Sequence, residues 1–218
     1  MRLMRRKIDD FLKEWKENED RLPLIVKGAR QIGKTASIMQ FANDNYKNVV
    51  AINFVLQQKF KSIFDDGYDV DSIVRNITLI DPSIELEPGN TIFFFDEMQD
   101  CPVCATSLKA FKIDGRYDVV CSGSLMGINY QEIESNSVGY KEDYTMHSMD
   151  FEEFLWAKGY DSAFVERLFE KMVSVTPLSS LETDVLGGLF RDYMIVGGMP
   201  AVVSLFVKNG NFSGTLKM

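Results

Sequence analysis

The chain of 218 residues has one histidine and three cysteines. A single histidine excludes metal centres built on several imidazoles. Three cysteines (Cys101, Cys104, Cys121) are too few for a disulfide framework. Basic residues are outnumbered, 24 against 32 acidic, for a net charge of −8. A surface of that sign does not suit a binder of phosphate backbones, which needs concentrated Lys and Arg. Long apolar runs are also missing. Stretches such as residues 92–95 fall far short of the roughly 20 residues that cross a bilayer as a helix. The N-terminus MRLMRRK is basic, but no apolar stretch follows it, so it does not read as a secretory signal. These absences predict a cytoplasmic protein without a membrane segment. What remains is 45% hydrophobic and 26% charged, the balance of a globular chain.

Against that background, two short segments stand out. Residues 28–35 read GARQIGKT, which fits the phosphate-binding pattern G-x-x-x-x-G-K-[ST]. Residues 92–97 read IFFFDE, an apolar run closed by two acids. A triphosphate concentrates negative charge. A loop answers it with backbone N–H groups, glycines that let the backbone approach, and a helix N-terminus aimed at the anion. Gly28 and Gly33 permit the curl, Ala29, Arg30, Gln31 and Ile32 wrap the β-phosphate with main-chain groups, and Ala36 is the last of the expected nucleotide-binding residues. Lys34 is expected to reach the β- and γ-phosphates, and Thr35 to hold Mg²⁺ through its hydroxyl. Asp96 is the candidate Mg²⁺ carboxylate, either binding the ion directly or acting through one of the ion's own ligands. Glu97 is the candidate base or water orienter. Alternation of side chains along a strand would send the two acids in different directions. Phosphoryl transfer is mostly positioning and charge stabilisation, so these few groups suffice.

Hydrophobic patterning predicts an α/β chain. Ile8, Phe11, Leu12 and Trp15 fall at helical spacing; this is either a docking helix or, with Arg2, Arg5, Arg6 and Lys7, a basic contact. Strands are expected at residues 22–27, 49–55, 91–95, 117–121 and around 144–147. Helices are expected at about 33–45, within 57–81, and at 107–111. From residue 151 onward the chain reads as helical: 151–160, 162–173, 181–196 and an element from 201. Domain boundaries are placed at 1–20 (N-terminal helix), 21–150 (nucleotide-binding core) and 151–218 (helical region). Strands alternating with helices imply a parallel sheet with right-handed crossovers, whose ligands sit at the carboxyl ends of the strands. The loop, the acid pair and Ser122 then share one edge. Ser122, in CSGS, either touches the γ-phosphate or attacking water or caps a turn with Gly123. Gln99 either assists the water or shapes a turn. The CPVC of Cys101–Cys104 reads as a loop leading into a helix rather than a zinc site, since only Cys121 and His147 remain as further ligands. Arg30 and Arg191 are candidates for charge stabilisation, as is an arginine from a neighbouring subunit.

GARQIGKT, DEMQD followed by Cys-Pro, SLKAF, CSGS, MDFEEFL and GGMPAVV occur in this order in a group of prokaryotic AAA-like P-loop ATPases. The chain resembles that group, which is related to the archaeal ATPase and STAND branches. The resemblance implies a P-loop core with a five-stranded parallel sheet of order 5-1-4-3-2 and a helical region after it. It also implies ATP and Mg²⁺ as cofactors and a strand-four sensor role for Ser122. Many members have Gly-Arg before the fifth strand, where this chain has Gly139–Tyr140. Members also continue past GGMP, so truncation after Met218 is expected. The readings that follow are a Mg²⁺-dependent ATPase, a low-turnover nucleotide switch controlling a partner or a DNA-associated assembly, and, third, a small-molecule kinase. No N-K-x-D base motif favours GTP. The partner is expected to be a protein, either another chain or a second copy.

Overall fold

A computed structural model describes residues 4–124 and 139–215. They form two compact units, Phe11–Met146 and a second made of Met1–Asp10 with His147–Met218. The division falls inside the first helix, α1 (Lys7–Glu17).

The first unit holds the sheet. Its strands are β1 (Leu24–Gly28), β2 (Asn48–Asn53), β3 (Thr91–Asp96), β4 (Asp118–Ser124) and β5 (Glu142–Thr145). All pairings are parallel, and the order across the sheet is β2-β3-β4-β1-β5, the expected 5-1-4-3-2. The crossovers run through α2 (Lys34–Asn45), α3 (Val70–Ile80) and α4 (Cys104–Asp114). A 3-10 helix, Gln58–Phe64, precedes α3. Several strand ends differ by a residue or two from the periodicity, because apolar pattern marks the buried part of a strand and not its last hydrogen bond.

β3 explains why the sheet is parallel and covered on both faces. All six of its residues are buried, so no face is left for water. Phe93 and Phe95 point to one side, where Phe93 meets Phe111 of α4 at 5.3 Å between ring centroids and Phe95 stacks on Phe54 at 5.7 Å. Ile92 and Phe94 alternate to the other side. There α1 contributes buried Leu12 and Trp15. Trp15 packs edge-on against Phe41 of α2, and its indole N–H donates to the Leu22 carbonyl at 2.8 Å. Within this unit, the apolar stripe of α1 is a packing face.

The second unit is helical: α5 (Phe151–Ala157), α6 (Ser162–Val173), α7 (Ser180–Val196) and α8 (Pro200–Asn209). Met149, Phe154, Val196, Val203 and Phe206 form its core. Glu153 organises its entry. Its Oε1 accepts from buried Arg6 Nε at 3.0 Å and from the Lys7 N–H at 2.7 Å. It also completes a capping box with Asp150 at the start of α5. Among the described residues, no helix is long and apolar enough to cross a membrane.

Truncation of Phe93 to Ala should cost about 3–5 kcal/mol, since its ring is fully buried among other rings. Ile113→Ala, at a position 68% exposed, should change stability by less than about 0.5 kcal/mol. Urea unfolding of both variants checks the contrast.

Candidate functional site

The loop expected to hold phosphate begins where β1 ends. Gly28 has no room for a side chain: a Cβ there would lie 2.4 Å from the Met146 carbonyl oxygen and 2.6 Å from Ile32 Cδ1. The loop then turns through the left-handed region at Gln31 (φ 64°) and Gly33 (φ 96°), and Gly33 caps α2. Left-handed backbone costs glycine nothing but is uncommon for a residue such as glutamine. The loop is therefore held in a conformation its sequence would not adopt alone. Lys34 is buried and folds back over the loop. Its Nζ donates to the carbonyls of Gly28 at 2.9 Å and Ala29 at 2.7 Å. Burial pushes its pKa below the ordinary lysine value; Glu97 and Asp96 oppose that shift, and Arg30 adds to it.

Asp96 closes β3 and is 5% exposed. Its Oδ2 accepts from Thr35 Oγ1 at 3.1 Å and from Asn53 Nδ2 at 3.0 Å. Its Oδ1 accepts from Ser122 Oγ and from the Glu97 N–H. Ser122 lies within β4, two residues before its end, and is fully buried against Asp96 instead of capping a turn. Thr35, Asp96 and Ser122 are therefore brought together as one hydrogen-bonded group.

Glu97 takes its direction from the backbone. It sits in the left-handed region at φ 55°, ψ 47°. The divergence of the two acids thus comes from a sharp turn after β3 and not from the alternation of a strand. Glu97 lines a cavity of about 580 Å³ together with Arg30, Lys34, Thr35, Asn53 and Leu56. Gln31, Gly33 and Ala36 also line it. Of the two candidate arginines, Arg30 is in this cavity, whereas Arg191 is exposed on α7 of the other unit.

Asn53 was not among the expected residues. It ends β2 directly in register with Asp96. Placing the strand end at residue 55 had hidden it within the strand; a polar residue after the apolar run VVAI was the available signal. Its Oδ1 accepts from the N–H groups of Val55 and Leu56, so one side chain joins Asp96 to the turn beside the cavity.

The chemistry of these oxygens suits a hard cation. A hydroxyl has one proton and two lone pairs. Thr35 gives its proton to Asp96, leaving oxygen lone pairs for a metal. Among the described residues no group of three or more His, Cys, Asp or Glu side chains is placed to hold a metal. Mg²⁺ is commonly bound by one or two protein oxygens with phosphates and water, and the Thr35 hydroxyl beside the Asp96 carboxylate is a donor set of that kind. The cysteines are elsewhere in character. Cys104 begins α4, its Sγ lies 3.9 Å from that of Cys121, and burial raises both the Cys104 thiol and the Cys101 thiol, the latter to about 11. His147 lies in the helical unit, where its carbonyl accepts from Arg6.

A family model described as an AAA domain matches residues 20–155. The chain belongs to the AAA domain family. The match spans the loop, Asp96, Glu97 and Ser122. The chain is also similar to a Walker-type ATPase of Pyrococcus abyssi, with 16% identity, a TM-score of 0.53, and coverage of 99% of this chain and 71% of that one. A chain of Drosophila ORC, solved bound to DNA, gives 13% identity, a TM-score of 0.52, and coverage of 92% and 58%. At these identities the likeness shows the P-loop ATPase fold. An uncharacterized protein of Haemophilus influenzae is 23% identical over 183 residues, which are 82% of this chain and 40% of that protein. The chain thus spans less than half the length of that relative.

In this AAA domain the loop is tightly constrained at its first residue. Gly28→Ala should destabilise the fold by about 1–3 kcal/mol, because backbone at Met146 must move to admit the methyl group. A thermal melt of the variant measures the loss.

Proposed function

We propose that this AAA domain binds ATP with Mg²⁺ and hydrolyses it. The observation that supports the reading is that Lys34, Thr35 and Glu97 line one cavity at the carboxyl edge of a parallel sheet, with Thr35 hydrogen-bonded to buried Asp96 and Asp96 to Ser122. On this reading the loop and the N-terminus of α2 receive the phosphates. Lys34 has three N–H bonds, two of which go to loop carbonyls, and the third is available to a phosphate oxygen. Thr35, and Asp96 directly or through water, would hold Mg²⁺, which when bound would offset phosphate charge. Glu97 orients a water and takes its proton as the water oxygen bonds to the γ-phosphorus. The bond from that phosphorus to the bridging oxygen breaks, and ADP leaves with the electron pair. The pairing of a loop lysine with a water-directed acid favours hydrolysis over transfer to a small-molecule acceptor.

Phosphate release by wild type, Lys34→Ala and Glu97→Gln tests this. Glu97→Gln should keep ATP-analogue binding and lose about 10²–10⁴ in turnover, Lys34→Ala should lose binding, and EDTA should abolish turnover. Equal rates in all three proteins would overturn the proposal.

A specific observation supports a second reading, a low-turnover switch. Leu56 is 80% exposed and Val55 44% exposed, an apolar pair beside the cavity. Asn53 holds both their N–H groups and Asp96. A partner that covers the pair would reach the site through Asn53. If that partner is a second copy, phosphate release per molecule rises with protein concentration in wild type and not in Leu56→Asp. A flat profile in both rules the second copy out.

A further inference from the structure

Gln99 sits in the 3-10 turn Met98–Asp100 that follows the two acids. Both ends of its side chain are engaged. Oε1 accepts from the N–H of Ser124 at 3.2 Å. Nε2 donates to Glu97 Oε2 at 2.5 Å and to Asp100 Oδ2 at 3.1 Å. The orientation of the amide follows from its partners: a main-chain N–H requires an acceptor and a carboxylate requires a donor. Ser124 is the last residue of β4 and stands in register with Gly28, the first residue of the loop. The side chain therefore ties the Glu97 carboxylate to the strand that carries Ser122 and borders the loop.

A glutamate side chain has three rotatable bonds, and Glu97 is only half-buried, so its backbone alone does not fix one direction. A hydrogen bond to a charged acceptor is among the stronger ones available, and here the donor is itself anchored on strand backbone. The left-handed turn at Glu97 sets where the side chain begins; Gln99 sets where it ends. We propose that Gln99 is a positioning residue that orients the Glu97 carboxylate toward the attacking water and ties that orientation to the end of β4. This rests on the reading of Glu97 as the group that directs the water.

Gln99→Glu is the decisive variant. It is nearly isosteric and keeps an acceptor for the Ser124 N–H, so the tie to β4 survives. It removes the donor shared by Glu97 and Asp100 and sets a like charge beside both; Asp100→Asn, which alters only the turn contact, should leave turnover within about twofold, and an equal loss there would overturn the inference. Turnover should fall about 10- to 100-fold in Gln99→Glu and Gln99→Ala, the scale of a misplaced catalytic group. KM and ATP-analogue affinity should stay within about twofold. In a Glu97→Gln background, Gln99→Ala should change turnover by less than about twofold, since the two residues act as one unit. Wild-type turnover in Gln99→Glu, with Glu97→Gln inactive, would overturn this inference and leave the Glu97 reading intact. Faster turnover in either Gln99 variant would overturn it too, because the contact would then restrain Glu97. A parallel loss of analogue affinity and turnover would show a folding role and overturn it. Wild-type turnover in Glu97→Gln would overturn both readings.

Discussion

The buried carboxylate of Asp96 is the constraint around which the nucleotide edge is arranged. Removing a carboxylate from water costs several kcal/mol even after relaxation. Four donors reach it: Thr35 from α2, Asn53 from β2, Ser122 from β4, and the N–H of Glu97. At about 1.5–3 kcal/mol for each hydrogen bond to a charged group, they offset that cost. The donors come from separate segments, so the carboxylate is satisfied only when β2, β3 and β4 are in the observed register and α2 starts where it does. A slip of one residue in either neighbouring strand would turn Asn53 or Ser122 to the opposite face. The group that would bind a cation is thus also a check on the fold.

This accounts for which parts of the site were legible in the sequence. Local chemistry was readable: GARQIGKT carries its own backbone requirements, and IFFFD announces a strand buried on both faces. The convergence of Lys34, Asp96 and Ser122 followed from strand order alone. The end of β2 at Asn53 had a signal in the sequence, but its bond to Asp96 and the bond of Gln99 to Ser124 did not, because each is defined by a partner in another strand and not by spacing. Asn53 matters because β2 lies beside β3, a neighbour relation that no periodicity encodes. The divergence of the acids was reached from the wrong geometry. Strand alternation and a left-handed turn both separate two adjacent side chains, and only coordinates distinguish them.

Two motifs shared with the resembling group have structural explanations in the helical unit. In MDFEEF, Glu153 caps α5 and pairs with buried Arg6, so one acid serves a helix end and a distant cation. In GGMP, Gly197 ends α7 at positive φ, and a Cβ on Gly198 would lie 2.3 Å from the Met149 carbonyl. The N–H of Met149 donates to the Gly198 carbonyl at 2.8 Å, which draws the two backbones together. Glycine is required there by contact between chain segments and needs no ligand to explain it. Legibility is poorer for α6. Its periodicity is that of an amphipathic helix, yet none of its residues is buried. Pattern reports that a face is apolar and is silent on what covers it.

The loop itself depends on a strand far from it in sequence. β5 pairs with β1, and just past its end the Met146 N–H donates to the Lys27 carbonyl at 2.7 Å. That bond presses the Met146 carbonyl against Gly28, which is why the position tolerates no Cβ. On the other side of β1, Ser124 stands level with Gly28 at the end of β4. The first residue of the loop is therefore gripped between the ends of two strands, while Lys34 holds the loop from above through the carbonyls of Gly28 and Ala29. A loop held on three sides has less conformational freedom to lose, which lowers the ordering cost of any binding there.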